Sequence, residues 1–493
     1  MDRLAAAVLL YRGDGSALEL LLVHRAPELR FFGDYLALPG GVVDSTDGDP
    51  DDPGALRRCA ERELFEETGV VLDSGMRSAP AAQREAARHA MLGSDRAAGQ
   101  AAWANLRTSA RGDADLVELC RIKTPAFAPV RYDTAFFLAT LPHGATPDIW
   151  PGELVGGRMV TPRSALTEWS QGACHIVPPV LVLLELLRSG DIASFRQRAA
   201  ALAAGFERGK LHRVFFSPGI LMACLATPTL PPATTTNCFV VGTARLSIID
   251  PGTPDPAEQA RLFELLDELV AEGAELEAVV CTHHHPDHVG AVRAVSQRYQ
   301  LPVRGHAKTL ERLPSGCLLG APIEDGSRLD LGNAPDGSPD WHLEAMYTPG
   351  HDRGHLAFRD SRYGAAIVGD MVSTVATILI DPPEGHMATY LASLRRLRDT
   401  PISTLHPAHG PATLRARALL EKFLAHRQAR QTALLRALES GPGSVESLLP
   451  VVYSDVPEPM LPYASRALLA GLEMSVEEGV VEGDGTTWQL VRR

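Results

Sequence analysis

Residues 282–290 read THHHPDHVG directly after an apolar run at 278–281, and no other stretch limits the chain's architecture so strongly. His283, His285, Asp287 and His288 place four imidazole or carboxylate donors within six residues. Zinc and neighbouring first-row ions take these ligands, and catalytic sites keep one position open for water. At a strand-to-helix turn such donors converge on one small volume, dense enough for two ions. His284 differs, because on an extended segment its side chain leaves by the opposite face from His283 and His285, so it is read as a non-ligand.

Three further donors end strand-like segments: His351 in YTPGHDRGH, Asp370 in AIVGDM and His409 in LHPAHGP. The pattern around them alternates strands at 238–241, 246–249 and 278–281 with a helix at 256–272, which indicates an α/β architecture. In this order the blocks resemble the metallo-β-lactamase superfamily over roughly residues 214–425. The resemblance implies an αββα sandwich in which His283, His285 and His351 bind a first metal, Asp287, His288 and His409 a second, and Asp370 bridges them. Two Zn²⁺, or Mn²⁺ or Fe, would supply hydroxide near neutral pH and stabilise the oxyanion that its attack creates. Asp287 is alternatively the catalytic group that orients the nucleophile or takes its proton. Asp250 in SIIDPG fits the superfamily's early strand-end aspartate, and His355 matches a position near the substrate.

The first half carries a different signature. Residues 62–70 read RELFEETGV, which as a helix puts Glu63, Glu66 and Glu67 on one face, with Arg62 four residues before Glu66. Three close anions repel one another unless a cation sits between them, and hard oxygen ligands at this density suit Mg²⁺ or Mn²⁺ bridging to a diphosphate. The preceding LPGGVVD supplies Gly40, Gly41 and Asp44. Loop and helix together resemble the Nudix box. That resemblance implies an α/β/α sandwich hydrolysing a nucleoside diphosphate linked to another group, with Glu63, Glu66 and Glu67 as metal ligands, Glu66 and Glu67 as catalytic groups and Arg62 toward substrate. The box is stretched: seven extra residues separate loop from helix, and its missing glutamate is either replaced by Asp47, Asp51 or Asp52 or simply absent. A stretched box with a helical insertion at about 79–112 and the later RYDTAFF is similar to the branch that includes coenzyme A diphosphatases.

A chain of 493 residues exceeds what one hydrophobic core serves. The expected divisions are a Nudix domain at 1–187, a linker or domain-edge helix at 188–212, a metallo-β-lactamase-fold domain at 213–427 and a winged-helix-like cap at 428–493. The cap combines helices at 431–438, 445–449 and 463–479 with a hairpin of 480–481 against 488–490. A net charge of −13 disfavours wholesale nucleic-acid binding. The run Arg415, Arg417, Lys422, His426, Arg427, Arg430 and Arg436 nevertheless leaves an RNA-facing helix as an alternative. Seven scattered cysteines without a CxxC pair read as reduced thiols. With neither a signal-peptide pattern nor a bilayer-length apolar run, the expected location is cytoplasmic, with no membrane partner.

The expected activity is that of a bifunctional metal-dependent hydrolase. One half hydrolyses a diphosphate, and the other attacks an ester, thioester or phosphodiester in a small nucleotide or CoA-type substrate, with acyl-CoA as the specific version. The alternative is an RNA-processing endoribonuclease whose Nudix half is a ligand-sensing or inactive module. Short metallo-β-lactamase domains with a cap are similar both to single-domain endoribonucleases and to glyoxalase II. Oligomeric state is not legible.

Overall fold

The computed structural model describes residues 2–49, 51–110 and 115–491. It forms two compact units, Met1–Ala126 with Val130–Pro218 and Phe127–Pro129 with Gly219–Arg493. Residues 111 and 112 of the expected insertion, and the last two residues of the expected cap, lie outside the described residues.

The first unit is organised by strand alternation. Strand Arg3–Arg12 runs parallel to Tyr132–Thr140 and antiparallel to Glu19–Arg25 and Gly40–Val42. Ala6, Val8 and Leu10 point to one face with Leu21 and Val23, where they meet Cys59, Ala60 and Leu64 of helix Ala55–Thr68. Leu9, Leu20 and Leu22 point to the other, where they meet Leu166, Leu181 and Leu184 of helices Pro162–Ser170 and Pro178–Leu187. Both faces of the sheet are therefore covered, which explains why these strands read as nearly continuous apolar runs.

The insertion forms helices Ala81–Met91 and Arg96–Arg107, which pack outside helix Ala55–Thr68: Trp103 stacks on Phe65 with ring centroids 5.5 Å apart. Arg88 also donates to the carbonyls of Glu66 at 3.1 Å and Glu67 at 3.0 Å. A cation is thus placed where the last turn of the acidic helix leaves carbonyls unpaired.

Residues 188–212 are largely helical, as one of the two readings had it. Most of them form helix Ile192–Glu207, capped by Asp191, and its Phe195 and Ala199 are fully buried in the first unit's core. Its composition suggests a connector because the apolar positions are mainly alanines, but one aromatic residue and a small-residue face suffice for close packing on the sheet.

In the second unit, one sheet takes its strands in the order Val303–Arg304, Glu275–Val280, Arg245–Ile249, Thr235–Gly242, Ile220–Ala226. The other takes the order Arg328–Gly332, Trp341–Tyr347, Leu356–Asp360, Ala365–Gly369, Thr404–Pro407. Asp250, His283, His351, Asp370 and His409 all follow the C-terminal ends of such strands. Helix Ala416–Glu439 then runs unbroken through the expected boundary at 427/428. Helices Val445–Val452 and Leu461–Glu477 follow it, and strands Val481–Gly483 and Trp488–Leu490 pair antiparallel. No helix among the described residues is long and apolar enough to cross a membrane.

Replacing Phe195 by Ala is expected to cost the first unit about 3–5 kcal/mol, the range for deleting a buried aromatic side chain. The measurement is the shift of its denaturant midpoint; a change below about 0.5 kcal/mol, the range of surface substitutions, would remove helix Ile192–Glu207 from the core.

Candidate metal centre

The THHHPDHVG segment folds as strand, turn and short helix. Pro286 occupies the first turn of helix Pro286–Val289, so His285 ends the extended stretch while Asp287 and His288 lie on the helix. Gly252 permits this, because a Cβ there would meet the Asp287 carbonyl oxygen at 1.8 Å.

The donors named from sequence converge. His285 Nδ1 lies 3.1 Å from His283 Nε2 and 2.9 Å from His351 Nε2. Asp287, His288 and His409 form a second group, with Asp287 Oδ2 3.6 Å from His409 Nε2 and 3.9 Å from His288 Nε2. Asp370 stands between the groups, Oδ2 3.5 Å from His351 Nε2 and Oδ1 3.2 Å from His409 Nε2.

Three of the rings are aimed by a bond on the far side. His288 Nδ1 bonds Asp250 Oδ2 at 2.9 Å, His351 Nδ1 donates to the Leu379 carbonyl at 2.8 Å and His409 Nδ1 to that of Thr235 at 2.9 Å. Asp250 therefore stands behind His288, where it also accepts from the Thr282 amide at 2.7 Å and hydroxyl at 2.6 Å. It adopts a left-handed φ of 52°, a conformation costly for a non-glycine residue and held here by those bonds.

The electrostatics match a cation site. Burial and the neighbouring histidines hold His283 well below the usual imidazole range, and burial with His351 brings His285 down to about 3. Both rings are thus neutral, the form that binds metal. Burial opposes charge on His288 and His409, but Asp287, Asp370 and Asp250 outweigh it at the first and Asp370 at the second, raising both. His288 Nε2 and Asp370 Oδ1 are buried without a hydrogen-bond partner. Bare nitrogens about 3 Å apart and orphaned buried donor atoms are what a divalent cation resolves, so the residue set fits one.

One expectation changes here. His355 is fully buried, its Nδ1 2.9 Å from Thr348 Oγ1 while its Nε2 accepts the Asp370 amide at 3.2 Å. With both nitrogens engaged it supports Asp370 and does not face substrate. It fits there because Gly369, at φ 46°, has no Cβ, which would lie 2.6 Å from His355 Nε2. His284, read as a non-ligand, has its Nδ1 2.5 Å from the buried Asp352, and these two with His285 form a further group of close donor atoms. Sequence reasoning missed Asp352, although it directly follows His351.

In the first unit Arg62 pairs with Asp47, one of the three aspartates named for the stretched box. Its Nε and Nη2 donate to the two oxygens of Asp47 at 2.9 and 2.7 Å, and both side chains are buried. Asp52 instead pairs with Arg58, and Asp51 is exposed. Arg62 Nη1 donates to Glu63 at 2.9 Å and Glu66 at 3.3 Å, and Nη2 also donates to the Val42 carbonyl at 3.2 Å. The guanidinium N–H groups are directed at protein acceptors, so Arg62 organises the carboxylates and is not free for substrate.

Glu63, Glu66 and Glu67 share a face, yet among the described residues no three of them close into a group as tight as those of the second unit. Burial raises Glu63 to about 7 and moves Glu66 and Glu67 upward, with Glu63 adding to the effect on Glu67. Glu153, which the sequence did not single out, repels both Glu66 and Glu67. Such a carboxylate set also suits a hard divalent cation.

Residues 231–409 match the profile of the Metallo-beta-lactamase superfamily and residues 1–90 that of the NUDIX domain. The chain is 29% identical over 206 residues to the lactamase-like protein adaB of Aspergillus niger, covering 41% of this chain and 59% of that protein. It is 31% identical over 163 residues to a hydroxyacylglutathione hydrolase of Thermosynechococcus vestitus, covering 33% of this chain and 57% of that protein. It thus spans less than two thirds of either relative. A solved NUDIX hydrolase from Alicyclobacillus acidocaldarius is 28% identical with a TM-score of 0.34, covering 40% of this chain and 96% of that one.

Asp47→Ala is expected to destabilise the first unit by about 3–5 kcal/mol, because it strands a buried guanidinium, whereas Asp52→Ala stays within about 0.5 kcal/mol. Equal effects in urea unfolding would discount the pairing of Asp47 with Arg62. Asp250→Ala should weaken zinc binding about 10–100-fold without removing a ligand, as read by chelator competition; unchanged affinity would deny Asp250 its supporting place.

Proposed function

We propose that this chain, in which a Nudix domain at residues 1–90 precedes a metallo-β-lactamase-superfamily domain at residues 231–409, is a two-site hydrolase acting on an acyl-CoA-type molecule. The second unit opens the thioester and the first opens the diphosphate. The observation that carries this is the convergence of five imidazoles with Asp287 and Asp370 in the second unit, in a chain whose first unit gathers Glu63, Glu66 and Glu67 on one helix face. The relative named as a hydroxyacylglutathione hydrolase supports an S-acyl substrate for the second site.

His283, His285 and His351 would hold one divalent ion and Asp287, His288 and His409 a second, with Asp370 available to both. When bound, such ions lower the pKa of water and polarise the carbonyl under attack. The chain's contribution is positional: His288, His351 and His409 present Nε2 because Nδ1 is engaged behind each. Asp287, whose side chain keeps 13% exposure, is alternatively the group that orients the nucleophile or takes its proton instead of serving as a ligand. In the first unit Glu63, Glu66 and Glu67 would hold Mg²⁺ or Mn²⁺, which would neutralise the leaving diphosphate, and Arg62 keeps Glu63 and Glu66 in place.

RNA is the weaker substrate class because the basic run is largely committed within the protein. Arg417 pairs with Glu421 at 2.9 Å, Arg430 with Asp455 at 2.8 Å, and Arg427 is buried. Burial and the flanking arginines push His426 down to about 4, leaving it uncharged at neutral pH. Of the seven, Arg415, Lys422 and Arg436 are exposed and outside those pairs, so fewer than half remain to replace phosphate counterions.

Purified protein supplied with an acyl-CoA is expected to release free thiol and a 4′-phosphopantetheine product. His285→Ala should lower thiol release at least about 10³-fold while leaving diphosphate cleavage intact. Glu67→Gln should lower diphosphate cleavage about 10²–10⁴-fold and spare the thiol. Absence of both products from the unmodified protein would remove the reading.

A further inference from the structure

Arg427 is buried near the middle of helix Ala416–Glu439, with 6% of its surface exposed. One end of its guanidinium donates from Nη2 to the Ile378 carbonyl, and its Cζ lies 5.5 Å from the centre of the Tyr390 ring. Its Nε has no hydrogen-bond partner, and among the described residues no carboxylate pairs with it. A buried cation without a counter-charge is expensive, and a well-packed apolar side chain of similar volume would generally be the more stable choice. Packing alone therefore does not account for an arginine here.

What it touches does. Ile378 precedes Leu379, whose carbonyl accepts the His351 Nδ1–H at 2.8 Å. Tyr390, under the guanidinium, donates its hydroxyl to the Met371 carbonyl at 2.8 Å, one residue beyond Asp370. Residues 371–379 therefore run from the bridging carboxylate to the carbonyl that aims His351, and Arg427 with Tyr390 grips both ends. Ile378 and Ile380 are 5% and 0% exposed, so the segment is packed as well as bonded.

We infer that Arg427 is a positioning residue for the metal centre: by holding the Ile378 carbonyl it fixes the adjoining Leu379 carbonyl, and with it the direction in which His351 presents Nε2. This rests on the reading of the cluster as a metal centre. It gives the C-terminal helices a task in the second unit's own chemistry, carried by a residue that the sequence groups with a nucleic-acid-facing stripe.

The test uses the full chain labelled with ¹⁵N-histidine and loaded with zinc. Wild type is expected to bind two zinc equivalents and to show a slowly exchanging His351 Nδ1 proton, assigned by its loss in His351→Gln. In Arg427→Met one equivalent should weaken about 10–100-fold, the range for losing an outer partner of a ligand. The His351 signal should shift or broaden while the His409 Nδ1 proton, bonded to Thr235, stays in place. Arg427→Gln, too short to reach the Ile378 carbonyl, should behave alike and serves if the methionine variant does not fold. A wild-type His351 signal and wild-type zinc affinities in whichever variant folds would overturn the inference. Wild type that binds no zinc would overturn the metal centre itself.

Discussion

Five imidazoles and two carboxylates directed into one buried volume do not form a self-sufficient packing arrangement. Left to themselves, buried polar atoms would turn toward whatever hydrogen-bond partners they could reach. The second unit prevents this by engaging the far side of the rings: His288 is held by Asp250, His351 by the Leu379 carbonyl and His409 by the Thr235 carbonyl. Asp250 is in turn locked by Thr282 in a backbone conformation it would not otherwise choose. The ligand cluster is therefore the visible end of a set of strand-end bonds, and the positions of both sheets matter because they deliver those bonds.

The first unit solves a smaller version of the same problem. Three glutamates share one helix face, where a single arginine bonds two of them, and that arginine is immobilised by a buried aspartate. Because Asp47 holds Arg62 from the loop side, the helix can be displaced along the chain by extra residues without losing its carboxylate arrangement. The inserted helices then brace its other end through Arg88 and Trp103.

Legibility in the sequence tracks locality. The ligands of the second unit are readable because each lies in a short block with a strand before it and a turn after it. Two features are not readable because they depend on distant partners. Which of Asp47, Asp51 and Asp52 meets Arg62 is set by the fold, and no spacing rule decides that once residues have been inserted. His355 resembles a substrate-facing residue in sequence, but its environment is set by Thr348 and by the absent side chain of Gly369. The helix at 192–207 reads as a connector because alanine hides an apolar face. The strands of the first sheet, by contrast, announce their two covered faces through near-continuous apolar runs.

Helix Ala416–Glu439 buries Ala416, Leu420 and Phe423 in the cluster that contains Met371 and Ile380, and Leu419 packs against the same cluster. Further along the same helix, Leu434 and Leu438 join the cluster around Trp488. One uninterrupted rod of 24 residues is thus shared by two hydrophobic clusters. A rod of that kind offers no joint at which the C-terminal helices could be exchanged for another module, because any cut would leave an apolar stripe exposed on both fragments. The sheets that carry the donor cluster and the helices after them are therefore mechanically one part, which unfolds as one part.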